Sequence, residues 1–318
     1  MSIDNTKIGI ALGSGSARGW AHIGVLKELA ELGIKPEIVA GSSIGALVGA
    51  AYASNKLDEM EKVVSKLSWK EIVAYLDMSI IGGGLIQGDK LVNFFRRHSD
   101  EMDIKSLPHK FAAVATELNS GREVWLQDGD LLDAVRASSA LPGLFTPVKK
   151  NNQWLIDGGI VDPVPVSLCR AMGADIVIAV SLNGDIVGKH GRNHKPQRET
   201  YPETIKKEND NIATLWNRIS EQLEKTVSKN KNMLLSRLLG ETQDSPGLVE
   251  VLIGSIHIMQ DRITRSRMAG DPPDIILSPK LSHLGLLEFD QGEIAIKEGR
   301  AVVARNRAAL EHIISVTR

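Results

Sequence analysis

In the first 53 residues, short apolar runs alternate with stretches that carry apolar residues at helical spacing, and loops with glycine separate them. A strand is predicted at 7–12 and a helix at 20–32. A second strand at 37–40 and a second helix at 44–53 follow. Strands that alternate with helices favour parallel pairing through right-handed crossovers. We therefore predict an α/β fold with a mostly parallel central sheet.

The rest of the chain supplies further elements of both kinds. Strands are predicted at 111–118, 123–127, 154–159, 175–182 and 273–279, and helices at 58–76, 131–140, 212–239, 248–268 and 292–315. A polar stretch at 183–211, almost free of large apolar residues, is typical of an exposed loop or linker. We predict a core over 1–182, this linker, and a part over 212–318 that completes the same domain.

Composition limits the class of protein. The net charge of -1, from 38 basic and 39 acidic residues, gives no electrostatic reason to expect nucleic acid as a partner. No apolar run approaches the roughly 18–20 residues of a membrane span, and the N-terminus does not resemble a signal peptide. The single cysteine, Cys169, is predicted to be a buried helix residue, and cysteine usage favours a reducing, cytoplasmic location.

Ser43 stands between two glycines where the second strand meets its helix. Its setting, Gly41-Ser42-Ser43-Ile44-Gly45, has the spacing G-x-S-x-G. A sharp strand-to-helix turn exposes a serine Oγ, and the helix N-terminus behind it favours developing negative charge. The glycines allow the close chain approach that such a turn needs. The sequence therefore indicates a nucleophilic serine, with a helix cap as the simpler alternative.

A nucleophilic serine needs a base, and two sources are open. A triad in the usual chain order of serine, acid and histidine would need His257, His283 or His312 as the base. However, only one strand precedes the Ser43 strand, unlike the usual hydrolase with such a triad. Asp157 closes an apolar strand and is followed by two glycines, so we favour an aspartate as the base. Its ordinary pKa of about 3.9 would then have to rise by burial, or turnover would be slow.

The loop "GSGSARG" at 13–19 supplies a third part, because acyl transfer needs backbone N–H donors aimed at an oxyanion. Gly15 and Ser16 are the predicted donors at the start of the following helix. Arg18 has two interpretations: it binds a phosphate or carboxylate, or it braces the loop through hydrogen bonds.

These three segments, in this order, resemble the patatin-like phospholipase family, particularly its bacterial branch related to the neuropathy target esterase catalytic domain. The segments "ARGWAHIGVLKEL", "ATELNSGREV" and "AVRASSALPGLFTPV" are also similar to that branch. The resemblance implies a three-layer α/β/α fold and hydrolysis of lipid acyl esters, without metal or other cofactor. It implies a dyad of Ser43 and Asp157, with Gly15 and Ser16 as oxyanion donors. Supporting positions are Gly13, Arg18, Gly19, Gly41, Gly45, Gly158 and Gly159.

Three other functions remain open at this point. A dinucleotide-binding loop fits the spacing at 10–26, but the second strand ends in Val39-Ala40-Gly41-Ser42 rather than in the acidic residue that binds a ribose. An acyltransferase would form the same acyl-enzyme and pass it to an alcohol or thiol. A weakly active regulatory protein on the same fold is the third alternative, and the sequence makes no prediction of oligomeric state.

A lipid ester must reach the site from a bilayer or micelle, so we expect peripheral membrane contact. Two segments have the required apolar residues: the glycine-rich loop at 79–89 and the amphipathic helix predicted at 212–239. The helix carries Trp216 and Leu223 on its apolar stripe, with lysines nearby that suit an anionic surface. Packing against the core or a second subunit is the alternative for both.

Overall fold

The computed structural model describes residues 6–67, 102–184, 248–285 and 288–317. These residues form an eight-stranded sheet with the order β5-β6-β3-β2-β1-β7-β8, in which β4 also pairs with β3. The strands are β1 (Ile8–Leu12), β2 (Ile38–Ser42), β3 (Lys110–Glu117), β4 (Glu123–Leu126), β5 (Val148–Lys150), β6 (Gln153–Asp157), β7 (Ile176–Val180) and β8 (Ile275–Leu277). The run from β3 to β8 is parallel, whereas β4, β5 and β6 pair antiparallel.

Helices cover both faces of this sheet. They are α1 (Ala21–Glu31), α2 (Ile44–Ala53), α3 (Leu57–Val64), α4 (Leu131–Ser138), α5 (Val166–Ala171), α6 (Leu248–Gly270), α7 (Gly292–Arg305) and α8 (Arg307–Thr317). Side chains of β1 alternate between the two layers: Ile10 and Leu12 join the larger core with α1, α2 and α7, and Ala11 joins the smaller core with α5. The predicted three-layer α/β/α fold is confirmed.

The elements that contain the predicted functional residues match their predicted positions within about two residues. Other elements differ from the prediction. The helix expected at 58–76 ends at Val64, with Ser65 as its C-cap. A single helix was expected at 292–315, but α7 ends before Asn306, whose side-chain amide donates to the Val302 carbonyl at 2.8 Å. Such a side-chain bond competes with the helical ladder and separates α7 from α8. Strand β5 was missed because three residues, two of them lysines, carry no periodic apolar signal.

Several expectations fall outside the described residues. They are the loop at 79–89, the helix at 212–239, most of the linker at 183–211, and the part of the predicted helix 58–76 beyond residue 67.

Cys169 is buried on α5, as predicted. Across the four described ranges, none of the helices combines the length and hydropathy needed to cross a membrane.

Candidate active site

Ser43 occupies a sharp turn between β2 and α2. Its backbone has φ 56° and ψ -123°, a conformation that residues with a Cβ rarely adopt. The backbone N–H of Ser43 donates to Ser138 Oγ on α4 at 3.0 Å, which helps to hold this strained geometry. A Cβ at Gly45 would lie 2.1 Å from the Leu12 carbonyl oxygen, so α2 can approach the end of β1 only with glycine there.

Strand register brings Asp157 to the Ser43 turn. On β3, Val114 pairs with Ser42 of β2, and the next residue, Ala115, pairs with Asp157 of β6. Strand β4 occupies the opposite edge of β3, because Val114 and Ala115 pair with β4 as well. Strand β6 therefore continues the edge of β3 at the point where β2 ends. Functional residues of α/β sheets usually lie at the carboxyl ends of parallel strands, but β6 runs antiparallel to β3. The register of β6 on β3 is therefore what puts Asp157 beside Ser43.

The Asp157 carboxylate contacts the Ser43 hydroxyl directly. Ser43 Oγ donates to Asp157 Oδ2 at 2.6 Å, and the Gly159 N–H donates to Oδ1 at 2.7 Å. The backbone is held as well: the Asp157 N–H donates to the Ala140 carbonyl at 3.0 Å, and Thr116 Oγ1 donates to the Asp157 carbonyl at 2.8 Å. These four hydrogen bonds fix both the carboxylate and the backbone of Asp157.

Burial changes the acidity of Asp157. Its side chain is completely buried, and this burial raises the pKa from 3.8 to about 6, against the lowering effect of the hydrogen bonds from Ser43 and Gly159. A carboxylate with this pKa accepts a proton more readily than an exposed aspartate does. The arrangement can thus take a proton from Ser43 without a histidine.

The glycine loop lies against the Ser43 turn. Its start is fixed by two backbone bonds, from the Gly13 N–H to the Val180 carbonyl at 3.0 Å and from the Ser14 N–H to the Pro163 carbonyl at 2.8 Å. Gly15 and Ser16 then begin the short 3-10 helix Ser16–Trp20, where the first N–H groups have no acceptor within the helix. A Cβ at Gly19 would clash with Ile44 at 2.2 Å, so this helix packs directly beside the residue after Ser43.

Arg18 is buried and braces the loop. Its Nε donates to the Leu284 carbonyl at 2.9 Å, which ties the loop to the segment before α7. This contact is the one that the bracing interpretation of Arg18 requires.

The three histidines considered from the sequence lie on other elements. His283 and His312 are exposed, and His257 is part-buried on α6. Sequence reasoning did not consider His22, which is completely buried and whose Nε2 donates to the Gly13 carbonyl at 2.7 Å. Burial lowers the pKa of His22 to about 4, so the ring is neutral and serves to hold the glycine loop. Ser138 was also missed, because nothing in its local sequence indicates a bond to Ser43.

Comparison with known proteins identifies the family. A family model described as patatin-like phospholipase matches residues 10–170, which include Ser43 and Asp157. An uncharacterized NTE family protein of Mycobacterium bovis is 33% identical over 347 residues, covering 96% of this chain and 92% of that protein. Mouse patatin-like phospholipase domain-containing protein 6 is 29% identical over 237 residues, covering 73% of this chain but only 17% of the mouse protein.

Among solved structures, VipD from Legionella pneumophila is a neighbour with a TM-score of 0.45 and 13% identity; the match covers 95% of this chain and 66% of VipD. The described fold and the family match define an α/β protein of the patatin-like hydrolase type. The chain belongs to the patatin-like phospholipase family, which confirms the resemblance drawn from the motifs.

Proposed function

We propose that this protein is a serine hydrolase that cleaves acyl esters of lipids, of the phospholipid or lysophospholipid class, through a Ser43–Asp157 dyad. The observation that carries the proposal is the 2.6 Å hydrogen bond from Ser43 Oγ to the buried Asp157 carboxylate, at a strained turn before a helix. Family membership supports the lipid ester as the substrate class.

In the first half-reaction, Ser43 Oγ attacks the ester carbonyl carbon while its proton passes to Asp157 Oδ2. The carbonyl oxygen becomes an oxyanion, which accepts hydrogen bonds from the Gly15 and Ser16 N–H groups. As the C–O bond breaks, the proton on Asp157 moves to the leaving alcohol, and an acyl-Ser43 ester remains. The alcohol of an ester is an easier leaving group than the amine of an amide, which suits a dyad without imidazole to ester substrates.

In the second half-reaction, Asp157 accepts a proton from water, and the water oxygen attacks the acyl carbonyl. The same N–H donors stabilise the second oxyanion. Collapse returns the proton to Ser43 Oγ and releases the fatty acid, so the carboxylate begins and ends the cycle ionised.

Labelling with a fluorophosphonate tests the nucleophile. We expect peptide mapping to place the label on Ser43, because the turn exposes its Oγ and Asp157 activates it. The matched control is Ser42→Ala, at a buried neighbouring hydroxyl, which should keep its labelling. Equal labelling of folded Ser43→Ala, or a label on another serine, would contradict the proposal. A panel of short soluble esters, lysophospholipids and phospholipids then defines the substrate.

A further inference from the structure

Helix α6 lies along the turn that follows Asp157. The Gly158–Ile160 3-10 turn leads on to Asp162, and Gly158, Gly159 and Asp162 are all buried. Gln260, at the middle of α6, is 3% exposed and faces this turn. A Cβ built at Gly159 would lie 2.5 Å from Gln260 Nε2, 2.9 Å from Asp157 Oδ1 and 3.0 Å from Ser14 Oγ. The Gln260 amide therefore packs directly against Gly159, beside the catalytic carboxylate.

The Gln260 side chain is itself anchored. Asn183, which follows β7 and is 4% exposed, donates from Nδ2 to Gln260 Oε1 at 3.4 Å. With its oxygen directed at Asn183, the amide presents its nitrogen to Gly159. This polar contact is buried, so replacing Gln260 with an apolar residue removes a group for which water cannot substitute.

Arg267, two helical turns beyond Gln260, holds the other end of the same turn. Its Nε lies 3.1 Å from Asp162 Oδ1, and its Nη1 donates to the Val161 carbonyl at 3.4 Å. Its Nη2 lies 2.8 Å from Glu123 Oε2 on β4. Residues seven apart share one face of a helix, about 10.5 Å along its axis. One face of α6 thus contacts the turn after Asp157 at both ends of the turn, at Gly159 and at Asp162.

We propose that α6 clamps the turn after Asp157, and that Gln260 is a positioning residue that keeps the Gly159 N–H directed at Asp157 Oδ1. Arg267 fixes the far end of the turn, so movement at Gly159 is restrained from both sides. The effect on ester turnover rests on the proposed function, whereas the effect on the Asp157 carboxylate does not.

The test measures the carboxylate itself. The full chain is labelled at the aspartate carboxyl carbon, and the Asp157 signal, assigned by its loss in Asp157→Asn, is titrated by NMR. In Gln260→Met, which keeps side-chain volume, the Gly159 N–H is no longer held and the hydrogen bond to Oδ1 weakens. Because that bond lowers the pKa, we expect the titration midpoint to rise by about 0.5–1 unit.

Thr264→Val is the matched control, since Thr264 is also buried on α6, one turn beyond Gln260. Its midpoint should stay within about 0.2 units of the wild type. Asn183→Ala, which removes only the anchor, should give a smaller rise and decides the question if Gln260→Met does not fold. Unchanged midpoints in both folded variants, or an equal rise in Thr264→Val, would overturn the clamp.

The same variants separate the two proposals. If the Asp157 midpoint rises in Gln260→Met but the wild type neither labels at Ser43 nor cleaves esters, the clamp stands and the proposed function is wrong. If the wild type labels and turns over normally but the midpoint in Gln260→Met does not shift, the proposed function stands and the clamp is wrong. Where both hold, kcat for a short soluble ester should fall about 3- to 10-fold in Gln260→Met, with KM changing less than about twofold.

Discussion

The turns that carry Ser43 and Asp157 are built in different ways. Ser43 lies between elements that are adjacent in the chain, β2 and α2, and Gly41 and Gly45 on either side of it allow their close packing. The bond to Ser138 is the distant contact of this turn. Asp157 is held by distant parts of the chain, through the register of β6 on β3 and through Gln260 and Arg267 on α6.

This difference has a physical cause. A nucleophile must be exposed, and a sharp local turn achieves exposure with few residues. A carboxylate that serves as base without imidazole needs a raised pKa, and for Asp157 burial under several elements raises it. We therefore expect substitutions at the Ser43 turn to disturb the turn itself, and substitutions of Asp157 to lower activity while they raise stability.

The largest effect is expected for Asp157→Asn, which retains the shape of the side chain but cannot accept the Ser43 proton. Turnover of a soluble ester should fall by about 10³-fold or more. In the wild type, kcat/KM should rise with pH through about 6, as Asp157 ionises. Initial rates across pH 4–9 check both expectations. Activity within about tenfold of the wild type would remove Asp157 from the mechanism.

Asp157→Asn should also stabilise the fold at neutral and alkaline pH. Because burial raises the folded-state pKa to about 6, the folded chain binds more protons than the unfolded chain between about pH 4 and 6. Wild-type stability from this group therefore falls as pH rises through that window. Above it, the asparagine variant should be more stable by about 2–3 kcal/mol, measured by urea unfolding at pH 8.

The comparison for that measurement is Asp128→Asn, which changes an exposed carboxylate. Its free energy of unfolding should differ from that of the wild type by less than about 0.5 kcal/mol, both at about pH 4 and at pH 8. Asp128→Asn should show the same pH dependence of the free energy of unfolding as the wild type. If Asp157→Asn showed it as well, burial would not raise the pKa of Asp157.

Gly45→Ala should damage the Ser43 turn through a single methyl group. The new Cβ would lie 2.1 Å from the Leu12 carbonyl oxygen, and backbone cannot move aside as a flexible side chain can. We expect a loss of about 2–3 kcal/mol in the free energy of unfolding, together with reduced fluorophosphonate labelling. Gly254→Ala on α6 meets nothing within 4 Å and should instead stabilise by about 0.5–1 kcal/mol. Equal stability of the two variants would contradict a tightly packed turn.

The same contrast explains how far sequence alone could lead. Local signals predicted β1, β2, α1 and α2, as well as the Ser43 turn, because each depends on neighbours in the chain. The aspartate strand was predicted too, but its antiparallel direction was not, because direction is set by pairing with β3. Gln260 and Ser138 carry no local signal, since their contacts join residues about 100 apart in sequence. His22 had a usable signal, a histidine inside an otherwise apolar helix face directly after the glycine loop.

The smallest effects are expected for the histidines that would complete a triad. Ser43 Oγ already donates to Asp157 at 2.6 Å, and His283 and His312 are exposed. Alanine at either position, or at His257 on α6, should therefore leave turnover of a soluble ester within about tenfold of the wild type. Circular dichroism and urea unfolding exclude misfolding as a cause of any loss. A folded histidine variant as inactive as Ser43→Ala would restore imidazole as the base, and Asp157 would then be a structural residue that orients the Ser43 hydroxyl.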